Sequence, residues 1–275
     1  MNTITIDLND YVRSGEGFNG ESYFHKSDPN LLLKLFPAGK SVEIAKKELE
    51  AGSIAYEIGI PTPKPGDLVT DGNGRYGIRF QRIRDKVSIC RACGENPASV
   101  GVLASRFADM CRILHSKVVP AGTSPCVKDQ YLDILDHTDI YTPEEDAWFR
   151  SKIAAAPDAT TAIHGDLQFG NAISAGGKDY FIDLGDFSYG HPYFDLGMVL
   201  FTSKYDNPDF LREVFHMEPA TAAEFWHHFV KAYFGPEADP DDIEKILRPY
   251  AALKLLIIER DSGAAIPGYH WLIKD

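Results

Sequence analysis

The chain has 275 residues, 44% of them hydrophobic and 25% charged, which gives it the length and apolar content for a large packed core and excludes a disordered chain. Its formal net charge is −12 and no basic run is long enough to make a phosphate-tracking patch, so no nucleic-acid partner is expected. Residues 1–8 lack the basic-then-apolar order of a secretory signal, and the best apolar run, 251–258, is short and carries Lys254; no membrane span is expected, and the cytoplasm is the default address.

Residues 3–8 alternate apolar and polar side chains as a half-buried strand does. Gly15-Glu16-Gly17-Phe18-Asn19-Gly20 is a glycine-rich turn. Residues 31–36 form an apolar run interrupted by Lys34 and stopped by Pro37, which predicts a strand. A helix is expected over 41–58: Ser41 stands at the N-cap, Ile44, Ala51, Ile54 and Ala55 share an apolar face, and Gly59 ends it. Pro61, Pro63 and Pro65 give an extended connection, and Asp71-Gly72-Asn73-Gly74 is a hairpin turn between strands at 68–70 and 76–82. Beyond it the pattern becomes helical. Val102, Ala104, Phe107, Met110, Cys111 and Leu114 recur at helical spacing across 98–116, and 147–156 reads as another helix. Strand signals return only near Ile163, over 172–174 and over 180–182. From Pro192 onward the chain reads as helices, with Phe225, Phe229 and Tyr233 on one face. The fold class is therefore α+β, with a small antiparallel-sheet lobe containing one helix (residues 1–82) and a larger, mostly helical lobe (residues 83–275).

Some groups that resemble sites read more simply as packing. Cys90 and Cys93 make a lone CxxC with no second pair or spaced histidines, so they read as plain cytosolic thiols rather than a zinc site. His115 ends an apolar helix and reads as a packed or capping histidine. His227 and His228 are adjacent and point apart on a helix. Trp226, Tyr233 and Trp271 contain the makings of an aromatic cage for a quaternary amine, but core packing is the better reading.

Four separated signals carry chemistry. The first is the GxGxxG of Gly15, Gly17 and Gly20; a strand-like segment follows it rather than a helix, which favours a hairpin whose backbone N–H groups approach phosphate oxygens over a dinucleotide fingerprint. The second is Lys34, costly to bury within an apolar strand unless paired. It is expected on the nucleotide phosphates, with a carboxylate of the next helix as its partner; Glu48 and Glu50 are both available and Glu48 is favoured. The third is His164-Gly165-Asp166-Leu167-Gln168-Phe169-Gly170-Asn171, with Asp166 as the base that accepts a hydroxyl proton and Asn171, five residues on, as a metal ligand. The fourth is Ile182-Asp183-Leu184-Gly185-Asp186, an apolar strand ending in a carboxylate, Asp183, suited to magnesium, with Asp186 as a possible helper.

The order of these signals resembles the aminoglycoside phosphotransferase and choline kinase superfamily, over roughly residues 6–197. The resemblance extends through Gly190-His191-Pro192-Tyr193-Phe194-Asp195-Leu196-Gly197, similar to the family's Gly-x-Pro-x-x-Asp-Leu segment. It implies a two-lobed protein-kinase-like fold, Mg2+ with ATP or GTP as co-substrate, and a small-molecule acceptor bound by the helical lobe, between residues 128–156 and 205–273. It also implies that Asp195 braces the catalytic loop. The family usually has His-Pro where this chain has Gln168-Phe169, and the full GxGxxG looks more like a protein-kinase loop. Two other readings remain: a protein kinase, against which the short stretch from Asp183 to Pro192 speaks, and a nucleotide-binding regulatory module without turnover. Acidic clusters at Glu144-Glu145-Asp146, at Asp239 with Asp241-Asp242, and at Glu259 with Asp261 suggest a cationic or polyhydroxylated acceptor. Oligomeric state is left open.

Overall fold

The computed structural model describes residues 2–17, 20–204 and 207–263. In chain order its first elements are β1 (Ile4–Thr5), β2 (Tyr11–Gly17), β3 (Gly20–His25), β4 (Leu31–Leu35), α1 (Val42–Glu57), β5 (Pro65–Thr70) and β6 (Tyr76–Gln81). There follow β7 (Val87–Ser88), α2 (Ile89–Glu95), α3 (Val100–His115), α4 (Val127–Asp136), α5 (Pro143–Ala155), β8 (Thr161–Ile163), β9 (Ala172–Ala175), β10 (Lys178–Phe181) and β11 (Ser188–Gly190). The last helices are α6 (Tyr193–Ser203), α7 (Pro208–Val214), α8 (Pro219–Phe234) and α9 (Pro240–Ser262). Packing divides the chain into two compact units, one of residues 1–86 with 173–186 and the other of 87–172 with 187–275.

The first unit is built on a six-stranded sheet in the order β1-β5-β6-β4-β3-β2. Its pairs are antiparallel except β1, which runs parallel to β5. Alternation along β4 sends Leu33 and Leu35 into a cluster with Ile6, Tyr11 and Val69. Lys34 pairs with Ile78 in register, and Leu68 pairs with Ile78 in turn. Leu68 and Ile78 pack with Ala45 and Leu49 of α1, so the opposite face of β4 is turned to that helix. The β2–β3 hairpin brings Gly17 opposite Gly20. Gly20 has φ +136°, and a Cβ there would collide with the Leu35 carbonyl oxygen, so glycine is required by both backbone angle and strand spacing. Strand β1 is shorter than its alternating pattern suggests, because the Asp7 side chain accepts from the Asn9 N–H at 2.8 Å and turns the chain into a 3-10 turn at Leu8–Asp10. Between β9 and β10, Gly176 and Gly177 both have positive φ, at +55° and +77°, the requirement of a tight two-residue hairpin.

The second unit is mostly helical. Phe107 of α3 packs between Phe225 and Phe229 of α8, with ring centroids 5.8 and 5.6 Å apart. Helix α6 is buried from Phe194 to Ser203. Strands β8 and β11 pair antiparallel, Ile163 opposite Ser188. Helix α5 starts earlier than its apolar pattern indicates. Thr142 and Glu145 form a reciprocal capping box behind Pro143, so Glu144, Glu145 and Asp146 occupy a first turn where the helix dipole favours negative charge. Asp239 likewise caps α9 by accepting from the Asp241 N–H at 2.9 Å. Among the described residues no helix is long and apolar enough to cross a membrane.

Replacing Phe107 by alanine is expected to lower the unfolding free energy by about 3–5 kcal/mol, since a fully buried ring leaves a cavity between two other rings. Urea denaturation followed by circular dichroism measures it, and a change under 1 kcal/mol would contradict a tightly packed α3–α8 contact.

Candidate functional site

Each unit carries one cluster of the expected side chains. In the first unit Lys34 rises from β4 toward α1. Its ammonium lies 2.7 Å from Glu48 Oε1 and 2.8 Å from Asp183 Oδ1. Glu48, rather than Glu50, therefore faces the lysine. Gly185 permits the approach, since a Cβ there would stand 3.4 Å from Glu48 Oε2. Burial alone would lower the Lys34 ammonium, but Asp183 and then Glu48 outweigh it and hold it above the ordinary lysine range. Burial pushes the Glu48 carboxyl up, against the pull of Lys34. Asp183 sits at φ +58°, a left-handed conformation rare for a residue with a side chain and found more often where function demands it. Gly15, Gly17 and Gly20 lie on the β2–β3 hairpin, while Phe18 and Asn19 are outside the described residues.

The second unit holds the loop that follows β8. The buried Asp195 carboxylate, 1% exposed, accepts from the backbone N–H groups of His164 at 2.8 Å and Gly165 at 3.0 Å. His115 Nε2 is 3.2 Å from the same carboxylate, and its Nδ1 is 2.8 Å from the Tyr233 hydroxyl. A carboxylate only accepts, so Nε2 carries the proton toward Asp195 and, in the neutral ring, Nδ1 accepts from Tyr233. Burial would raise the Asp195 carboxyl, but the His115 and His164 donors overcome it and bring it below the usual range. Downstream, Asn171 Nδ2 donates to the Asp166 backbone oxygen at 3.0 Å and to its carboxylate Oδ2 at 2.8 Å. The Gln168 N–H donates to the Asp166 carbonyl at 3.0 Å and the Asn171 N–H to the Gln168 carbonyl at 2.9 Å, so the loop is a closed turn. The Lys254 ammonium, on α9, donates to the Gly165 carbonyl oxygen.

Other residues singled out in the sequence resolve into packing. Trp226 is fully buried, Tyr233 is engaged by His115, and Trp271 lies outside the described residues. Cys90 and Cys93 are free and buried on α2, and burial pushes the Cys93 thiol up to about 12, against ready thiolate chemistry. Among the described residues no three His, Cys, Asp or Glu side chains gather to hold a metal. Two features escaped the sequence reading: the tether from Lys254, read only as the charge that interrupts an apolar run, and the contact of His115 with Asp195, 80 residues apart.

A protein-family model described as the phosphotransferase enzyme family, APH, matches residues 11–224. The chain belongs to this family, and as an enzyme it is a small-molecule kinase. A sequence comparison with curated proteins finds no match. Solved structures share the protein-kinase-like fold. Aminoglycoside phosphotransferase APH(4)-Ia is similar with a TM-score of 0.66 at 12% identity, over 96% of this chain and 90% of that one. A choline/ethanolamine kinase family protein from Mesorhizobium loti gives a TM-score of 0.55 at 18% identity, over 96% and 84%. Amicoumacin kinase hAmiN, in complex with AMP-PNP, Ca2+ and Ami, gives 0.60 at 15% identity, over 94% and 82%.

Asp195→Asn is expected to lower stability at pH 7 by about 2–3 kcal/mol, the scale of hydrogen bonds to a buried charge. Because the folded carboxyl titrates below the unfolded one, the wild-type advantage is complete above the unfolded pKa of about 4 and is lost as pH falls through the lower folded value. Urea midpoints of both proteins between pH 7 and pH 3 measure it; a gap that widens in acid would refute the assignment.

Proposed function

We propose that the protein transfers the γ-phosphoryl group of ATP or GTP to a hydroxyl of a small molecule that is cationic or rich in hydroxyls. The observation that carries this reading is the hold on Asp166, whose carboxylate is fixed by the Asn171 amide in a turn braced by Asp195. A carboxylate so restrained can take the proton of an acceptor hydroxyl as its oxygen attacks phosphorus, while the bond to the β–γ bridging oxygen breaks and the nucleoside diphosphate leaves. Lys34 faces the phosphates in this reading, oriented by Glu48, and the hairpin glycines Gly15, Gly17 and Gly20 cover them. Mg2+ would be held by Asn171 and Asp183 and would neutralise charge on the phosphoryl oxygens. Their donors fit: an amide oxygen remains on Asn171 when its nitrogen donates to Asp166, and the Asp183 side chain is 48% exposed, so its carboxylate is open to a cation. One carboxylate beside an amide oxygen and waters is an ordinary magnesium shell. The amicoumacin kinase complex holds a nucleotide analogue and a divalent cation together, which supports metal-assisted nucleotide binding as the class of chemistry.

Two features support a small acceptor. The chain after Asp183 enters β11, paired with β8, within a few residues, which leaves no long activation segment to dock a peptide. The net charge of −12 favours cations near the enzyme. Two of the acidic clusters now have another duty as helix starts, and Glu259 is buried, accepting from the Tyr141 hydroxyl at 2.6 Å. General surface potential, rather than those clusters, is what would attract the acceptor. Residues 128–156 and 205–273 are the proposed acceptor-binding segments, of which 205–206 and 264–273 lie outside the described residues. The four free cysteines suit the reducing cytoplasm, where we place the enzyme.

Asp166→Asn is expected to cut turnover about a hundredfold or more while nucleotide affinity holds, the usual range for loss of a general base. Near-normal turnover would refute the role. Across a panel of amines, aminoglycosides, sugars and a generic protein, the acceptor KM should rise with salt more steeply than the nucleotide KM, as the screening length falls from about 10 Å at 0.1 M to about 3 Å at 1 M. Strong phosphorylation of the protein, or a salt-independent preference for anionic acceptors, would sink the small-cation reading.

A further inference from the structure

We propose that Lys254 is a positioning residue for Asp166, acting through the peptide that joins Gly165 to Asp166. This rests on the reading of Asp166 as the base. Lys254 is only 3% exposed, and its ammonium donates to the Gly165 carbonyl oxygen. Burying a lysine is expensive, and an apolar side chain of similar length would satisfy a purely structural position better. What the lysine grips is specific. The Gly165 carbonyl belongs to the same peptide plane as the Asp166 N–H, and that N–H lies 3.3 Å from His164 Nδ1. The plane is thus held at its oxygen by Lys254 and at its nitrogen by His164. Asp195 holds the preceding N–H of Gly165 at 3.0 Å. Gly165 itself has φ +85° and no side chain to restrict it, so without outside restraint the plane in front of Asp166 would swivel.

The helix that carries Lys254 is seated to match. On α6, two residues beyond Asp195, a Cβ at Gly197 would stand 2.5 Å from the Tyr250 carbonyl carbon and 2.8 Å from the Ala251 nitrogen. Glycine there lets α9 lie directly against α6. Lys254 follows Tyr250 by one turn, so the carboxylate of α6 and the ammonium of α9 reach the two sides of Gly165 from one closely packed helix pair. Asp195 and Lys254 form a single two-sided clamp whose spacing is set at Gly197.

The test is steady-state nucleotide turnover by Lys254→Met, Lys254→Arg and Gly197→Ala, with Lys254→Met also placed in the Asp166→Asn background. Misplacement of a reacting group by about 1 Å can cost up to a hundredfold in rate, so kcat for Lys254→Met should fall at least about tenfold with nucleotide KM within about twofold of wild type. Lys254→Arg, which keeps a donor, should recover most of the loss, and Gly197→Ala should reproduce the fall in kcat. In the Asp166→Asn background Lys254→Met should cost little more, because both changes remove the same contribution. Equal losses in both backgrounds, or a folded Lys254→Met with wild-type kcat, overturn the proposal. If thermal melting shows that Lys254→Met does not fold, Lys254→Gln replaces it, its amide being too short to reach; an unchanged kcat there is likewise fatal. Wild-type protein without turnover on any acceptor would overturn the phosphotransfer reading first, an outcome distinct from an active enzyme indifferent to Lys254.

Discussion

The buried carboxylate of Asp195 organises the helical unit. A charge 1% exposed must be satisfied from several directions at once, and four elements meet around it: the loop after β8 supplies two N–H donors, the end of α3 supplies His115, Tyr233 of α8 supports that ring, and α6 carries the carboxylate itself. The ends of α3, α6 and α8 and the turn at His164 are therefore located relative to one another by hydrogen bonds with definite directions. Apolar packing, as in the Phe107, Phe225 and Phe229 stack, holds the helices together but tolerates sliding.

The sheet unit uses a related device with opposite polarity. There the central group is a partly buried cation, Lys34, and two carboxylates compensate it at 2.7 and 2.8 Å. The difference in exposure matters: the Glu48 side chain is 11% exposed and that of Asp183 is 48% exposed. Glu48 is committed to orienting the lysine, whereas Asp183 is placed where an incoming ligand can compete for it.

Much of this was legible in the sequence because the informative residues violate local expectation. Lys34 interrupts an apolar strand, and strand alternation places it opposite Leu33 and Leu35, toward the helix that carries Glu48. The Gly-Asp-Asn spacing after β8 and the hairpin turn of Asp71-Gly72-Asn73-Gly74 were equally plain. Helices α2 and α4 were not: α2 has only seven residues, and α4, though Val127, Tyr131, Ile134 and Leu135 share one buried face, spans only ten. The start of α5 was hidden because its first turn is charged, which the capping box explains but hydrophobic periodicity ignores. Lys254 was hidden for the reverse reason: it lies inside an apolar stretch, where a lone lysine reads as a snorkelling surface residue until its distant carbonyl partner is seen. Contacts that cross 89 residues of chain leave no local periodicity.

The departure of Gln168-Phe169 from the family's usual His-Pro shows how the same loop rigidity arises by other means. A proline restrains a turn through its own ring, independently of its surroundings. Phe169 cannot do so, but it is fully buried, with its ring 5.1 Å from those of both Phe215 and Phe225. Its carbonyl also accepts from the Cys90 N–H at 3.3 Å. Gln168 bends back so that its Oε1 accepts from the Gly170 N–H at 2.6 Å, and a Cβ at Gly170 would crowd that oxygen at 2.5 Å. Local hydrogen bonding thus sets the turn, and a buried aromatic anchors it. The consequence is a change in what the loop depends on. With proline, the segment between Asp166 and Asn171 would be stiff even if the helices behind it loosened. With Phe169, its stiffness is borrowed from the packing of α8 and of the residues after α7, so that anything disturbing that aromatic cluster reaches the Asp166–Asn171 contact through a single side chain.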